Sequence, residues 1–126
     1  LTSWDEFAFR IEDSKTRVGL ASVNLSVSEL KPVDGELIGE YAIEVPLMSS
    51  KNDNGQIVLP LNKSVSELGK TGGVLRGKAI SAKNENTINQ IVCEVRPLTN
   101  KGIRLAITTP DRTLHFESKY TVIEVK

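Results

Sequence analysis

Residues 35–47 read GELIGEYAIEVPL, and they set the fold class. Leu37, Gly39, Tyr41, Ile43, Val45 and Leu47 fall on one side of an extended chain. Glu36, Ile38, Glu40, Ala42 and Glu44 fall on the other. Side chains alternate across a strand, so this spacing predicts one buried face and one wet face, the mark of an antiparallel strand. The same period of two recurs along the chain. Phe7, Phe9 and Ile11 share a face, as do Val23, Leu25 and Val27 in a strand predicted over 16–27. So do Ile91, Cys93 and Val95, then Ile103, Leu105 and Ile107, then Leu114, Phe116, Tyr120 and Val122. Turn residues punctuate these runs at Asp13-Ser14-Lys15, Asn54-Gly55, Lys83–Asn86, Asn100-Lys101-Gly102 and Pro110-Asp111-Arg112. About eight strands result, which predicts an all-β antiparallel sandwich or partly closed barrel forming a single domain over residues 1–126.

A second pattern overlies the strands. Residues 24–39, NLSVSELKPVDGELIG, match residues 62–77, NKSVSELGKTGGVLRG, at nine of sixteen positions without a gap. Two copies are too few for a solenoid, so the pattern predicts an internally duplicated domain. SVSEL reads as a one-turn helix in both copies. In the second, Ser64 and Glu67 have capping-box spacing, and Val65 and Leu68 share a face. Pro32 and Gly72-Gly73 are the stop signals. A helix so short needs its apolar residues pinned, so both copies are expected over an end of the sheet.

Composition excludes several classes. Sixteen basic and sixteen acidic residues balance, with no dense basic block, so the electrostatic footprint of a nucleic-acid binder is missing. No apolar run is long enough for a membrane span. The single cysteine, Cys93, rules out an intrachain disulfide. The chain begins at Leu1 rather than methionine, as a processed or trimmed form would, and a periplasmic or secreted location is favoured over the cytoplasm. The strand rhythm LSVSEL, GELIGEYAIEVPL, NGQIVLPL resembles, in rhythm alone and without a diagnostic motif, bacterial envelope β-repeat proteins of the AsmA-like kind. That resemblance implies lipid handling in an open β-groove, from which the SVSEL helical turns depart.

The chemistry-bearing residues are sparse. His115 is the only histidine and falls opposite Leu114 and Phe116, on the wet face. Catalysis there would need an orienting acid and a nucleophile that no motif supplies. Cys93 falls on the apolar face, away from His115, as an inert buried thiol. Glu36, Glu40 and Glu44 stand about 13 Å apart in successive pairs, too far to share one glycosidic bond. Arg76 and Lys78 are their expected cross-strand partners, should the duplicated strands pair. Asn52-Asp53-Asn54-Gly55 has the polarity of a calcium loop but not its ligand spacing, and reads as a hairpin turn. No cofactor motif and no metal-ligand set is present.

The reading is therefore a non-enzymatic β-domain acting as an interaction or structural module, as one part of a larger bacterial envelope or secreted protein. Its partner would be another protein or a second copy, with an exposed sheet edge or apolar patch. One alternative is a β-barrel binding a small lipid or sugar, in a cavity lined by inward positions such as Tyr41, Ile43, Val45, Leu105 and Phe116. Trp4 would be a stacking platform, so Trp4, Tyr41 and Phe116 are the candidate ligand contacts. The other alternative is a hydrolase using His115 with nearby carboxylates.

Overall fold

Alternation of apolar and polar residues leaves each run with one face to bury, and the chain buries them all by curling one sheet upon itself. The structure, a computed structural model, describes residues 6–83 and 87–125. Trp4 and residues 84–86 of the expected Lys83–Asn86 turn lie outside the described residues. Ten strands follow in order among them: β1 (Phe7–Ile11), β2 (Ser14–Val18), β3 (Ala21–Val27), β4 (Lys31–Val33) and β5 (Glu36–Glu44), then β6 (Asp53–Pro60), β7 (Gly73–Ser81), β8 (Ile88–Val95), β9 (Gly102–Thr108) and β10 (Thr113–Glu124). One helix, α1 (Val65–Thr71), lies between β6 and β7, and a 3-10 turn at Ser49–Lys51 precedes β6.

Every ladder is antiparallel, and the sheet order is β1-β10-β9-β8-β7-β6-β5-β3-β2, with β4 also on β5. The result is a half-barrel of all-β class. Its two ends approach each other at one point. Phe9 and Leu30 exchange both backbone hydrogen bonds, at 3.0 and 2.9 Å. β2 lies against β10 with no ladder between them. The inward faces make one core, with Phe9, Leu25, Leu37, Ile57, Leu75, Ile91, Leu105, Phe116 and Tyr120 all excluded from solvent. Phe9 and Tyr120 meet edge to face, ring centroids 5.1 Å apart.

The strand phases predicted from the sequence hold for β1, β3, β5, β8, β9 and β10. Four local expectations do not. First, the predicted strand over 16–27 is two strands, broken at Gly19-Leu20, where Gly19 takes a positive φ of 61°, and the first of them begins at Ser14, so Ser14 and Lys15 of the expected Asp13-Ser14-Lys15 turn are paired with Leu25 and Asn24 instead. With β4 in addition, the count rises from eight to ten. Second, Leu47 is exposed, because β5 ends at Glu44 and Pro46 follows. Third, Asn54-Gly55 is not a turn: both residues lie in β6, paired with Ala42 and Tyr41. Gly55 serves a close approach instead, since a Cβ there would run into the Ile80 carbonyl of β7. The turn is made upstream, where Asn52 Oδ1 accepts the Val45 N–H at 2.7 Å.

Fourth, the two SVSEL copies differ. The second is the start of α1, capped as predicted: Ser64 Oγ accepts the Glu67 N–H at 3.1 Å, and Gly72 ends the helix at φ 74°. It runs beyond one turn because Gly69-Lys70-Thr71 continue it. The first copy is extended. Ser26 and Val27 finish β3, and Leu30 enters the bridge to Phe9. Pro32 explains the difference, since it disfavours helical geometry at Lys31 and has no N–H to offer an earlier carbonyl.

Candidate functional site

The half-barrel has two unlike ends. At one, both repeat copies act as plugs. Leu30 and Leu68 are equivalent in the repeat and both are fully buried. α1 contacts β1 and β10 there, and the Leu98 N–H reaches the Gly69 carbonyl at 2.7 Å. At the other end lie four connections: Gly19-Leu20 between β2 and β3, residues 45–52 between β5 and β6, residues 82–87 between β7 and β8, of which 84–86 lie outside the described residues, and residues 109–112 between β9 and β10. No helix covers this end among the described residues. A cavity of about 420 Å³ opens there.

Its wall is mostly aliphatic, with Val18, Val23, Ile43, Val45, Ile107 and Leu114 contributing. Six polar side chains break it: Lys51, Thr109, Asp111 and Arg112 come from the connections at the mouth, Asp53 from β6 and Asn89 from β8. The Asp53 carboxylate is held on both oxygens. Tyr41 donates its hydroxyl to Oδ2 at 2.9 Å, and Ser81 donates to Oδ1 at 2.6 Å. Burial, followed by the hydrogen bond to Asp53 and that group's charge, holds the Tyr41 phenol well above its ordinary value of 10.0. Asn89 is 9% exposed, yet its amide has no hydrogen-bond partner among the described residues. It faces inward because β8 alternates strictly, with Ile88 and Gln90 outside and Asn89 and Ile91 inside.

Of the candidate ligand contacts, Tyr41 lies behind this cavity as the support of Asp53. Phe116 is fully buried in the core and does not line it, and the same is true of Leu105. Ile43 and Val45, named with them as inward positions, do line it. Sequence reasoning missed Asp53 and Asn89. Asp53 sits within a segment that reads as a turn, and Asn89 looks like one more polar residue before a strand. The available signal was phase, since Asn89 shares the inward parity of Ile91 and Cys93.

The other chemistry-bearing residues stay apart. His115 is exposed, pairs across β9 with Ala106, and makes no hydrogen bond or ion pair among the described residues. Cys93 is fully buried between Leu75 and Leu105, and burial pushes its thiol up to about 12. The two side chains point to opposite faces. Arg76 and Lys78 are not cross-strand partners of the β5 glutamates, because β6 lies between β5 and β7. Glu44 instead accepts a long hydrogen bond from Asn24 at 3.5 Å. The outer face carries a charged cluster in which Arg104 meets Glu117 at 2.6 Å, with Arg96 and Glu94 at 3.8 and 4.0 Å. The hydrogen bond to Arg104 and its charge hold the Glu117 carboxyl below its ordinary value. Among the described residues, no group of three or more His, Cys, Asp or Glu gathers as a metal site. No helix there is long and apolar enough to cross a membrane.

No family model, curated protein or solved structure matches the chain.

Proposed function

We propose that this protein binds a small amphiphilic molecule in the open end of its half-barrel, without transforming it. The observation that carries this reading is Asn89: a largely buried residue whose amide has no protein partner among the described residues and opens into a cavity with an aliphatic wall. An apolar ligand that covered this amide without pairing it would cost about 1–3 kcal/mol, so the site selects a ligand that carries a hydrogen-bonding group to that point. The cavity volume of about 420 Å³ lies within the range of small-molecule pockets. The aliphatic wall favours an apolar body over a sugar, since none of its lining side chains is an aromatic platform for stacking. Asp53 retains acceptor capacity beyond the two donors it holds, and the Asn89 amide both donates and accepts. Together they suit a neutral head such as a hydroxyl or a primary amide.

The test uses N-phenylnaphthylamine as a fluorescent probe and decanol as its competitor. Saturable probe fluorescence at one site, displaced by decanol, is expected. Asn89→Leu is close in size and should lower probe affinity about tenfold or more through loss of the paired head group, with thermal stability kept or raised. Absence of saturable binding in the wild type, or unchanged affinity in a folded Asn89→Leu variant, would refute the reading.

The interaction-module reading draws support from a different feature, the exposed leucines around the cavity mouth. The hydrolase reading draws none from the surroundings of His115.

A further inference from the structure

The rim of the cavity is apolar where loops of this kind are ordinarily polar. Leu20, at the tip between β2 and β3, is 93% exposed, and Leu47, in the loop between β5 and β6, is 89% exposed. Met48 beside Leu47 is also exposed. Both tips belong to one rim, because Val18 and Ala21 flank Leu20, Val45 and Met48 flank Leu47, and all four line the same cavity. A single exposed leucine needs no explanation. Two nearly naked leucines on separate loops around one opening place apolar weight at the point of the molecule that faces outward.

The charges of these connections have a sign. Lys51 and Arg112 line the mouth, and Lys83 donates to the Ser50 and Asn52 carbonyls of the Leu47 loop. Against these three cations the same connections carry two acids in the sequence, Asp111 at the mouth and Glu85, which lies outside the described residues, leaving a net charge of +1. Asp53 lies deeper, engaged by Tyr41 and Ser81.

We propose that this end of the half-barrel docks on an anionic lipid bilayer, with Leu20 and Leu47 inserted at the headgroup boundary and Lys51, Lys83 and Arg112 above it. The inference rests on the cavity reading for its purpose: a mouth pressed to the bilayer admits an amphiphile directly from the lipid. Shallow apolar insertion and basic attraction are each weak alone and act together in peripheral binding. Each basic residue close to an anionic leaflet raises partitioning by about fivefold, an effect that salt screens.

Co-sedimentation with vesicles tests it. The protein should pellet with vesicles of phosphatidylcholine mixed with phosphatidylglycerol, and pellet poorly with phosphatidylcholine alone. Leu20→Asp and Leu47→Asp alter exposed tips, so the fold is retained. Each should lower partitioning by about tenfold or more, while N-phenylnaphthylamine binding in solution stays unchanged. Lys51→Glu should lower it and flatten its salt dependence. No pelleting with the anionic vesicles at low salt, or full pelleting of both leucine variants, overturns the docking. So does a concentration-dependent dimer, without vesicles, that Leu47→Asp dissolves, since the face would then belong to a second copy. Probe binding that survives while vesicle binding fails removes the docking and leaves the cavity reading standing. Vesicle binding without probe binding removes the cavity reading alone.

Discussion

Replacing Tyr41 by Phe isolates a single buried hydroxyl, and its consequence reverses sign with pH. Tyr41 is 3% exposed, and its ring stays in place in the variant. What is lost is the 2.9 Å hydrogen bond to Asp53 Oδ2. A hydrogen bond to a charged group contributes about 1.5–3 kcal/mol. Asp53 keeps Ser81 and faces the cavity, so water can replace part of the loss, which places the cost near the middle of that range, at about 2 kcal/mol. That is the expected gap at neutral pH. The folded phenol is held above its ordinary value of 10.0, so below pH 10 its stabilisation is fully present. Above it the unfolded chain ionises while the folded one does not, and the wild type loses about 1.4 kcal/mol per pH unit that the Phe variant keeps. The two stability curves should therefore converge above pH 10 and cross at about pH 11.5. Urea denaturation followed by circular dichroism at about pH 7, 9, 10.5 and 11.5 reads both quantities. Tyr120 and Cys93 are also raised, but they occur in both proteins and cancel in the difference. A gap that stays constant from neutral to alkaline pH would refute the assignment of Tyr41 as a neutral donor to Asp53.

The repeat makes a paired prediction: Ser64→Ala should cost about 1 kcal/mol through loss of the α1 cap, while Ser26→Ala, its counterpart on the exposed face of β3, should be nearly silent in the same urea titration. Leu68→Ala opens a void where α1 plugs the closed end, and a loss of about 2–5 kcal/mol is expected; a smaller loss would mean that α1 does not seal that end. The Cys93 thiol, buried and raised to about 12, should react with a maleimide only as fast as the protein unfolds. Fast labelling of the native protein would contradict its place between Leu75 and Leu105.

Fold class was legible because burial acts on every second residue, and most strands carried that signal unaided. Strand ends were less legible where a glycine had two readings. Asn54-Gly55 has the composition of a tight turn, yet Gly55 is required by the Ile80 carbonyl on the next strand, a contact between residues distant in sequence. The candidate site was barely legible for the same reason. Asp53 acquires meaning only when β5 brings Tyr41 beside it and β7 brings Ser81. Asn89 acquires meaning only when the barrel mouth closes around it. Tyr41 was singled out as a ligand contact on phase alone, and phase delivers burial but not what the hydroxyl meets.

The duplicated segment shows how flanking residues decide what an identical pentapeptide becomes. SVSEL lacks the length to hold a helix by itself. Followed by Gly-Lys-Thr-Gly it gains three further residues of helix and a glycine stop. Followed by Lys-Pro it is barred from continuing and is captured by the Phe9 strand edge. Both outcomes bury the same leucine, Leu30 or Leu68, at the same end of the half-barrel. The position equivalent in the two copies therefore encodes closure rather than helix. Since both copies are spent on sealing one end, the opposite end is left to four connections and one polar corner. The asymmetry of the molecule follows from where its repeat lies, and the open end is consequently where a ligand has room to enter.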